Sequence, residues 1–209
     1  MRLYYHPLSS NSRRVLLTAH QLGLDLDFIL VDLSAGDHRT PEYMRLNPNG
    51  KVPVLIDGPL CLWESHAIMQ YLADTCPRQD VYPTEISDRA DVNRWLFWSA
   101  TGFAAAAAPI IRERVSKKVV AGLGAPDEQE IARGESLFAA AALVLDRHLD
   151  GKQWIAQDRL TLADLAVAAP LMHVEAAQLP IAEFRNIQRW FARVKSLDAW
   201  AKSGGQTSV

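Results

Sequence analysis

A change of pattern near residue 80 constrains this chain more than any other feature. Before it, strand-like and helix-like segments alternate; after it, nearly every segment reads as helix. "RLYY" at 2–5 predicts a first strand, and "HPLSSN" supplies a loop with capping residues. From Ser12 onward Val15, Leu16, Ala19 and Leu22 share one helical face, and Gly23 stops the pattern. "DLDFILVD" predicts a second strand, and "TPEYMRLNPNG" a short helical turn ended by Pro48 and Gly50. "PVLIDG" and "LCLW" predict two strands joined by an Asp-Gly-Pro turn, and "ESHAIMQYLADTC" a helix. The result is an α/β domain over 1–77.

"PRQDVYPTE" holds two prolines among polar residues and predicts a linker over 78–85. An all-α helical bundle follows over 86–209. "SDRADVNRWLFWSATGFAAAAAPIIRERV" is one long helix with a kink expected at Pro109. "DEQEIARGESLFAAAALVLDRHL" is a second, closed by Asp150-Gly151. "TLADLAVAAPLMHVEAA" and "IQRWFARVKSLDAWAKS" are two more, and "GGQTSV" is expected to fray. The alanine run suits close helix packing.

The chain of 209 residues is 49% hydrophobic, enough for a sizeable core. A net charge of −2 argues against nucleic acid or an anionic membrane as the main partner. Cys61 and Cys76 are far apart and form no C-x-x-C, so neither a disulfide framework nor a zinc site is expected. "MRLYYHPLSS" lacks a signal-peptide pattern, and no apolar run approaches a membrane span. A cytoplasmic protein is the expectation.

Pro53 interrupts "NGKVPVLIDG", a run of strand formers, where it removes a ladder donor. Either it is a trans proline opening an edge strand, or the Val52-Pro53 bond is cis. The second arrangement leaves the backbone of Val52 open to bond an extended peptide.

The whole block "NPNGKVPVLIDGPLCLWESHAIMQYL" resembles the glutathione-binding half of cytosolic glutathione transferases. "LYYHPLSSNSRRVLLTA" is similar to that family's serine-type members, the theta and delta classes. "TLADLAVAAPL" resembles the capping box of its helical domain. The resemblance implies a thioredoxin-like first domain, an all-helical second domain completing the electrophile pocket, a cis Pro53 and a homodimer. It implies glutathione as co-substrate and no metal. Val52 then offers its backbone to the cysteinyl part, while Glu64 and Ser65 hold the γ-glutamyl end. His38 and Lys51 approach the glycine carboxylate.

Elementary chemistry agrees with these assignments. Ser65 opens a helix, where free N–H groups favour a carboxylate. Glu64 can pair with an ammonium, and Lys51 with the other carboxylate. Each also has a plain structural role: Glu64-Ser65 as a helix cap, Lys51 as a solvated turn residue.

The reaction needs a thiolate. Lowering a thiol pKa of about 8.5 by two units takes roughly 2.7 kcal/mol. One hydroxyl donor supplies about 1.5–3 kcal/mol and a helix N-terminus about 0.3–1 kcal/mol. "SSNS" offers both: Ser9 first, Ser10 if the loop is shifted by one, then Asn11, with Ser12 as the expected helix cap. These residues occupy the slot where a thioredoxin-like redox protein carries C-x-x-C, so dithiol exchange is not expected. Tyrosine-type members of the family place their catalytic tyrosine near the end of this strand, which makes Tyr5 an alternative; otherwise Tyr4 and Tyr5 read as core or pocket wall.

Thr161 and Asp164 form a T-x-x-D capping box. Trp95, Phe97, Trp98 and Phe103 either line an apolar pocket or fill the core. Arg112 and Arg114 face either a cleft or solvent, and Asn186-Ile187 stands where many relatives carry a proline. His66 and His173 lack the spacing of a metal site. The function expected is transfer of the glutathione thiolate to an apolar electrophile, or reduction of a peroxide. The alternatives are a non-catalytic glutathione-binding or protein-interaction module with the same fold, or a glutathione-dependent lyase or dehalogenase.

Overall fold

The computed structural model describes residues 1–120 and 122–204. All of the expected tail except Gly204 therefore lies outside the described residues. The chain forms two compact units, Met1–Gln79 with the described residues from Ser196 onward, and Asp80–Lys195.

The first unit contains β1 (Arg2–Tyr5), α1 (Ser10–Leu22), β2 (Asp27–Leu30), a 3-10 turn (Asp37–Arg39), α2 (Pro41–Leu46), β3 (Val54–Asp57), β4 (Leu60–Trp63) and α3 (Ser65–Asp74). The sheet order is β2-β1-β3-β4. β1 is parallel to β2 and antiparallel to β3, and β3 and β4 form a hairpin. This is the thioredoxin-like arrangement. Side chains alternate across it. Val54 packs with Val31, Tyr43 and Val52, with Tyr4 and Ile56 against them. Leu3 and Leu55, fully buried, point to the other face, where α1 and α3 pack together.

Ser9, rather than Ser12, caps α1. Its backbone is extended (φ −88°, ψ 115°), and its Oγ accepts from Ser12 N at 3.2 Å. Ser12 is one turn inside and fully buried, its Oγ accepting from His6 N at 3.2 Å. The apolar periodicity starts late because the first turn is anchored by hydroxyls. Gly23 ends α1 at φ 66° with its N–H on the last turn, a left-handed stop that glycine tolerates.

The second unit starts with one helical run: α4 (Ile86–Trp98), a π-helical turn (Ser99–Phe103), α5 (Ala104–Ile111), a second π turn (Arg112–Ser116) and α6 (Lys117–Val119). Pro109 lies within α5. α7 (Glu128–His148), α8 (Leu162–Ala168), a 3-10 turn (Ala169–His173) and α9 (Arg185–Lys195) complete the unit. Gly134 lets α7 approach α5 closely: a Cβ there would stand 2.8 Å from Ile110 Cγ1 and 3.2 Å from Pro109 Cβ. The stretch read as a linker is packed, with Val81, Tyr82 and Pro83 buried and Val81 O accepting from Leu162 N at 2.9 Å.

The last predicted helix is two. α10 (Asp198–Gly204) follows α9 after a break and packs on α1 in the first unit. Arg13 fixes it, donating to Trp200 O at 2.7 Å with its guanidinium 4.5 Å from the Trp200 ring centre. The sequence pattern alone places these residues with the helical half, because α9 and α10 both carry helical periodicity.

The Thr161–Asp164 capping box is present, and Asp164 also accepts from Ile155 N and Trp190 Nε1, each at 2.9 Å. Burial pushes its carboxyl up to about 6 against the pull of those hydrogen bonds. At the start of α9, Asp146 accepts from Asn186 N at 2.8 Å and Ile187 N at 3.0 Å. A proline at 186 would lack the first donor. No helix among the described residues is long and apolar enough to cross a membrane.

Candidate functional site

Three segments of the first unit meet at one pocket. The start of α1 contributes Asn11 and the loop before β3 contributes Lys51, Val52 and Pro53. Glu64 and Ser65 come from the start of α3, and Asn47 and Asn49 from the turn after α2.

Each segment is held for an identifiable reason. The Val52-Pro53 peptide is cis, and β3 begins only at Val54. Just before it, Lys51 O accepts from Tyr43 Oη at 2.9 Å and Asn47 Nδ2 at 2.7 Å. Two donors on one carbonyl immobilise the approach to Val52. Gly50 is at φ 58°, and a Cβ there would meet His38 O at 3.2 Å and Met44 Sδ at 3.3 Å. That corner therefore requires glycine.

At α1, Ser12 N and Arg13 N are bonded to Ser9. Among the described residues the amides of Ser10 and Asn11 remain the open donors of the first turn. Ser9 Oγ accepts from Ser12 N, so the hydroxyl hydrogen is free to donate elsewhere. Asn11 is exposed on the pocket wall, while Ser9 and Ser10 are half-buried beside it in sequence.

At α3, Glu64 precedes the helix at φ 72°, ψ 106°, with no side-chain capping bond among the described residues. Its carboxylate is not spent on the helix. Ser65 is buried and its Oγ accepts from Arg14 Nη1 at 3.1 Å. His38 lies in the 3-10 turn, its carbonyl toward Gly50, and burial lowers its imidazole pKa. The pocket thus gathers Asn11, Lys51, Val52, Pro53, Glu64 and Ser65, and His38 stands behind Gly50.

The remaining candidates have structural partners. Tyr5 is buried edge-on against Phe28, and Tyr4 edge-on against Tyr43. In the second unit Trp95 and Phe103 are core, whereas Phe97 is 71% exposed. Arg114 pairs with Glu135 at 2.8 Å and donates to Ala177 O at 3.1 Å. Arg112 is mostly exposed, 3.8 Å from Glu113. No group of three or more histidine, cysteine or acidic side chains among the described residues is arranged to hold a metal.

Sequence reasoning missed Arg14, Tyr43 and Asn47. Arg14 is adjacent to Arg13 in a helix whose other face is apolar, and its partner Ser65 is 51 residues away in sequence, so no local spacing marks it as buried. Nothing local distinguishes Asn47 from an ordinary turn residue.

His66, next on α3, is held neutral: burial, then the Arg14 charge, lower its pKa from 6.5 to about 3. Between those values the unfolded chain takes up a proton that native His66 refuses, so stability is lost as pH falls through that window. His66→Asn is expected to flatten the acid side of a denaturation-versus-pH profile. An unchanged profile would mean His66 plays no part in acid sensitivity.

Residues 1–74 match the family model of the glutathione S-transferase N-terminal domain, and residues 102–198 that of the C-terminal domain. A delta-class glutathione transferase of Nilaparvata lugens is 33% identical over 98% of this chain and 93% of its own, with a TM-score of 0.84. A glutathione transferase family member from Pseudomonas fluorescens, solved with two glutathione bound, is 26% identical over 97% and 91%, TM-score 0.86. Glutathione transferase F2 from Populus trichocarpa shares the fold at TM-score 0.89 and 23% identity, over 98% and 97%.

Proposed function

The chain belongs to the glutathione S-transferase family, and from that premise we propose that its first domain binds glutathione, stabilises the thiolate and delivers it to an apolar electrophile or uses it to reduce a peroxide. One observation carries the reading: a single pocket joins the start of α1, the Val52-Pro53 loop and the start of α3. Those are the three features that a thiol-bearing, doubly anionic peptide requires.

In this reading Val52 pairs its backbone with the cysteinyl residue, in the manner of an added strand. Ser65 and the open N-terminus of α3 take the γ-glutamyl carboxylate, and Glu64 takes the ammonium. Lys51, with His38 behind Gly50, faces the glycine carboxylate. We assign the sulfur to the Ser9 hydroxyl, whose hydrogen is free, and Asn11 is the second donor on the pocket wall. Ser10 contributes its amide. A hydroxyl donor makes the chain a serine-type member, and the identity to a delta-class enzyme supports that placement. A homodimer and a cytoplasmic setting complete the proposal, and the unpaired Cys61 and Cys76 agree with a reducing compartment.

A panel of apolar electrophiles and hydroperoxides tests the function. The proposal expects glutathione-dependent turnover of at least one class, reduced about tenfold or more in Ser9→Gly. Retention on immobilised glutathione with no turnover across the panel would make the protein a binding module instead.

A further inference from the structure

A second cleft opens on the first unit, between the edge of the sheet and α2. Tyr4, Ile29, Leu30, Tyr43 and Leu46 give it apolar walls, and Asp37 and Glu42 line it as well. It exists because β2 is an edge strand and α2 is only six residues long. Tyr4 lies in register with Ile29 on one side and Val54 on the other. Tyr43 of α2 packs on Val54, with Tyr4 against them, and the cover stops short of β2. Ile29 and Leu30 are left 37% and 47% exposed. Adjacent large apolar side chains left open in this way mark a surface that another molecule covers.

The walls are fixed without a ligand. Tyr43 Oη donates to Lys51 O at 2.9 Å, and the Tyr43 ring stands edge-on to Tyr4 at 6.2 Å. Asp37 N donates to Asp32 O at 3.0 Å, and Asp37 Oδ2 accepts from Asp32 N at 2.9 Å. Thr40 Oγ1 donates to Asp37 O at 2.9 Å, which ties the turn to the start of α2. Glu42, in the first turn of α2, has no ion pair among the described residues. No basic side chain lines the cleft. Its volume is about 280 Å³, whereas an apolar cavity of about 150 Å³ takes benzene. Two fused rings therefore fit.

We propose that this cleft is a second ligand site, for an amphipathic organic amine, with a two-ring apolar body on Ile29, Leu30 and Leu46 and an ammonium held by Asp37 and Glu42. The walls select the rings, and the two carboxylates select a cation over an anion. A two-fold contact between copies of the chain would set the same acidic residues against themselves, which disfavours a second copy as the occupant. None of the lining residues belongs to the glutathione pocket, so the two sites stand or fall separately.

Calorimetric titration with three probes of one ring system tests it: 2-(1-naphthyl)ethylamine, the neutral 2-(1-naphthyl)ethanol and the anion naphthalene-1-acetate. The amine is expected to bind most tightly at a single site and the acetate least. In the double variant Asp37→Asn with Glu42→Gln the Kd for the amine should rise about 3-fold to 10-fold, as for two exposed ion pairs, to that of the alcohol. The Kd for the alcohol should stay the same. Ile29→Lys should weaken all three probes, and Glu64→Gln should change none. No binding of the amine, acetate bound as tightly as the amine, or an unchanged amine Kd in the double variant overturns the proposal. Weakening of the amine in Glu64→Gln would place it in the other pocket and overturns it too. So does self-association of the wild-type protein that Ile29→Lys abolishes, since a second copy would then cover the cleft.

Discussion

Replacing Ser9 by glycine is expected to raise the thiol pKa of bound glutathione by about 1–2 units, the equivalent of the roughly 1.5–3 kcal/mol supplied by one hydrogen bond to a charged acceptor. Glycine is the informative substitution because Ser9 has two tasks. Its oxygen caps α1 by accepting from Ser12 N, and its hydrogen is the proposed donor to sulfur. Alanine at an N-cap costs about 1 kcal/mol of stability, whereas glycine costs a few tenths. The two variants should therefore differ in melting temperature and agree in thiol pKa. Absorbance titration of the bound thiolate reads the second quantity directly. Asn11→Ala should shift it less. A full shift in Asn11→Ala with none in Ser9→Gly would move the donor role to the amide side chain on the pocket wall.

The largest stability effect is expected at Asp164. The Thr161–Asp164 spacing alone suggests a cap whose loss costs about 1 kcal/mol. The structure shows a carboxylate with 0% exposure that accepts from Thr161 N, Ile155 N and Trp190 Nε1, each at 2.9 Å, and from Thr161 Oγ1 at 3.2 Å. Alanine would strand several buried donors at once, each costing about 1–3 kcal/mol. Asp164→Ala should therefore lose about 3–5 kcal/mol. That is a large share of the ~5–15 kcal/mol by which domains are stable. Denaturant titration measures it, and a loss near 1 kcal/mol would show that the side chain acts only as a cap. Asp164→Asn should fall between, since its amide nitrogen must face one of the same donors.

The fold was legible because its signals are local and repeated. Short aromatic and β-branched runs mark β1, β3 and β4, and turn residues such as Gly23 and Gly58 bound the elements. Where one helix ran into another the signal failed. α9 and α10 share their periodicity, and the break at Ser196-Leu197 carries no proline or glycine. Only tertiary contact, Arg13 on Trp200, shows that α10 belongs with α1. The capping of α1 was misplaced for a related reason. "SSNS" holds three hydroxyls, and which of them is extended depends on His6 N reaching Ser12 Oγ, a contact that sequence spacing does not reveal.

The pocket was legible in part. Pro53 stood out as a misplaced residue in a strand, and Glu64-Ser65 as a polar pair before a helix. His38 entered only through resemblance, and it stands behind Gly50 instead of on the pocket wall. Arg14 and Asn47 were invisible because their roles are made by distant partners, Ser65 and the Lys51 carbonyl. A buried arginine in a helix looks the same on paper as a solvated one.

The central claim is that the start of α1, the Val52 loop and the start of α3 form one glutathione site. Amide NMR titration of the protein with glutathione tests it most directly. The account predicts saturable shifts that follow a single isotherm and centre on Asn11, Val52 and Ser65, and that are lost in Ser65→Ala. An absence of shifts at saturating glutathione, or shifts centred away from these three amides, would contradict it.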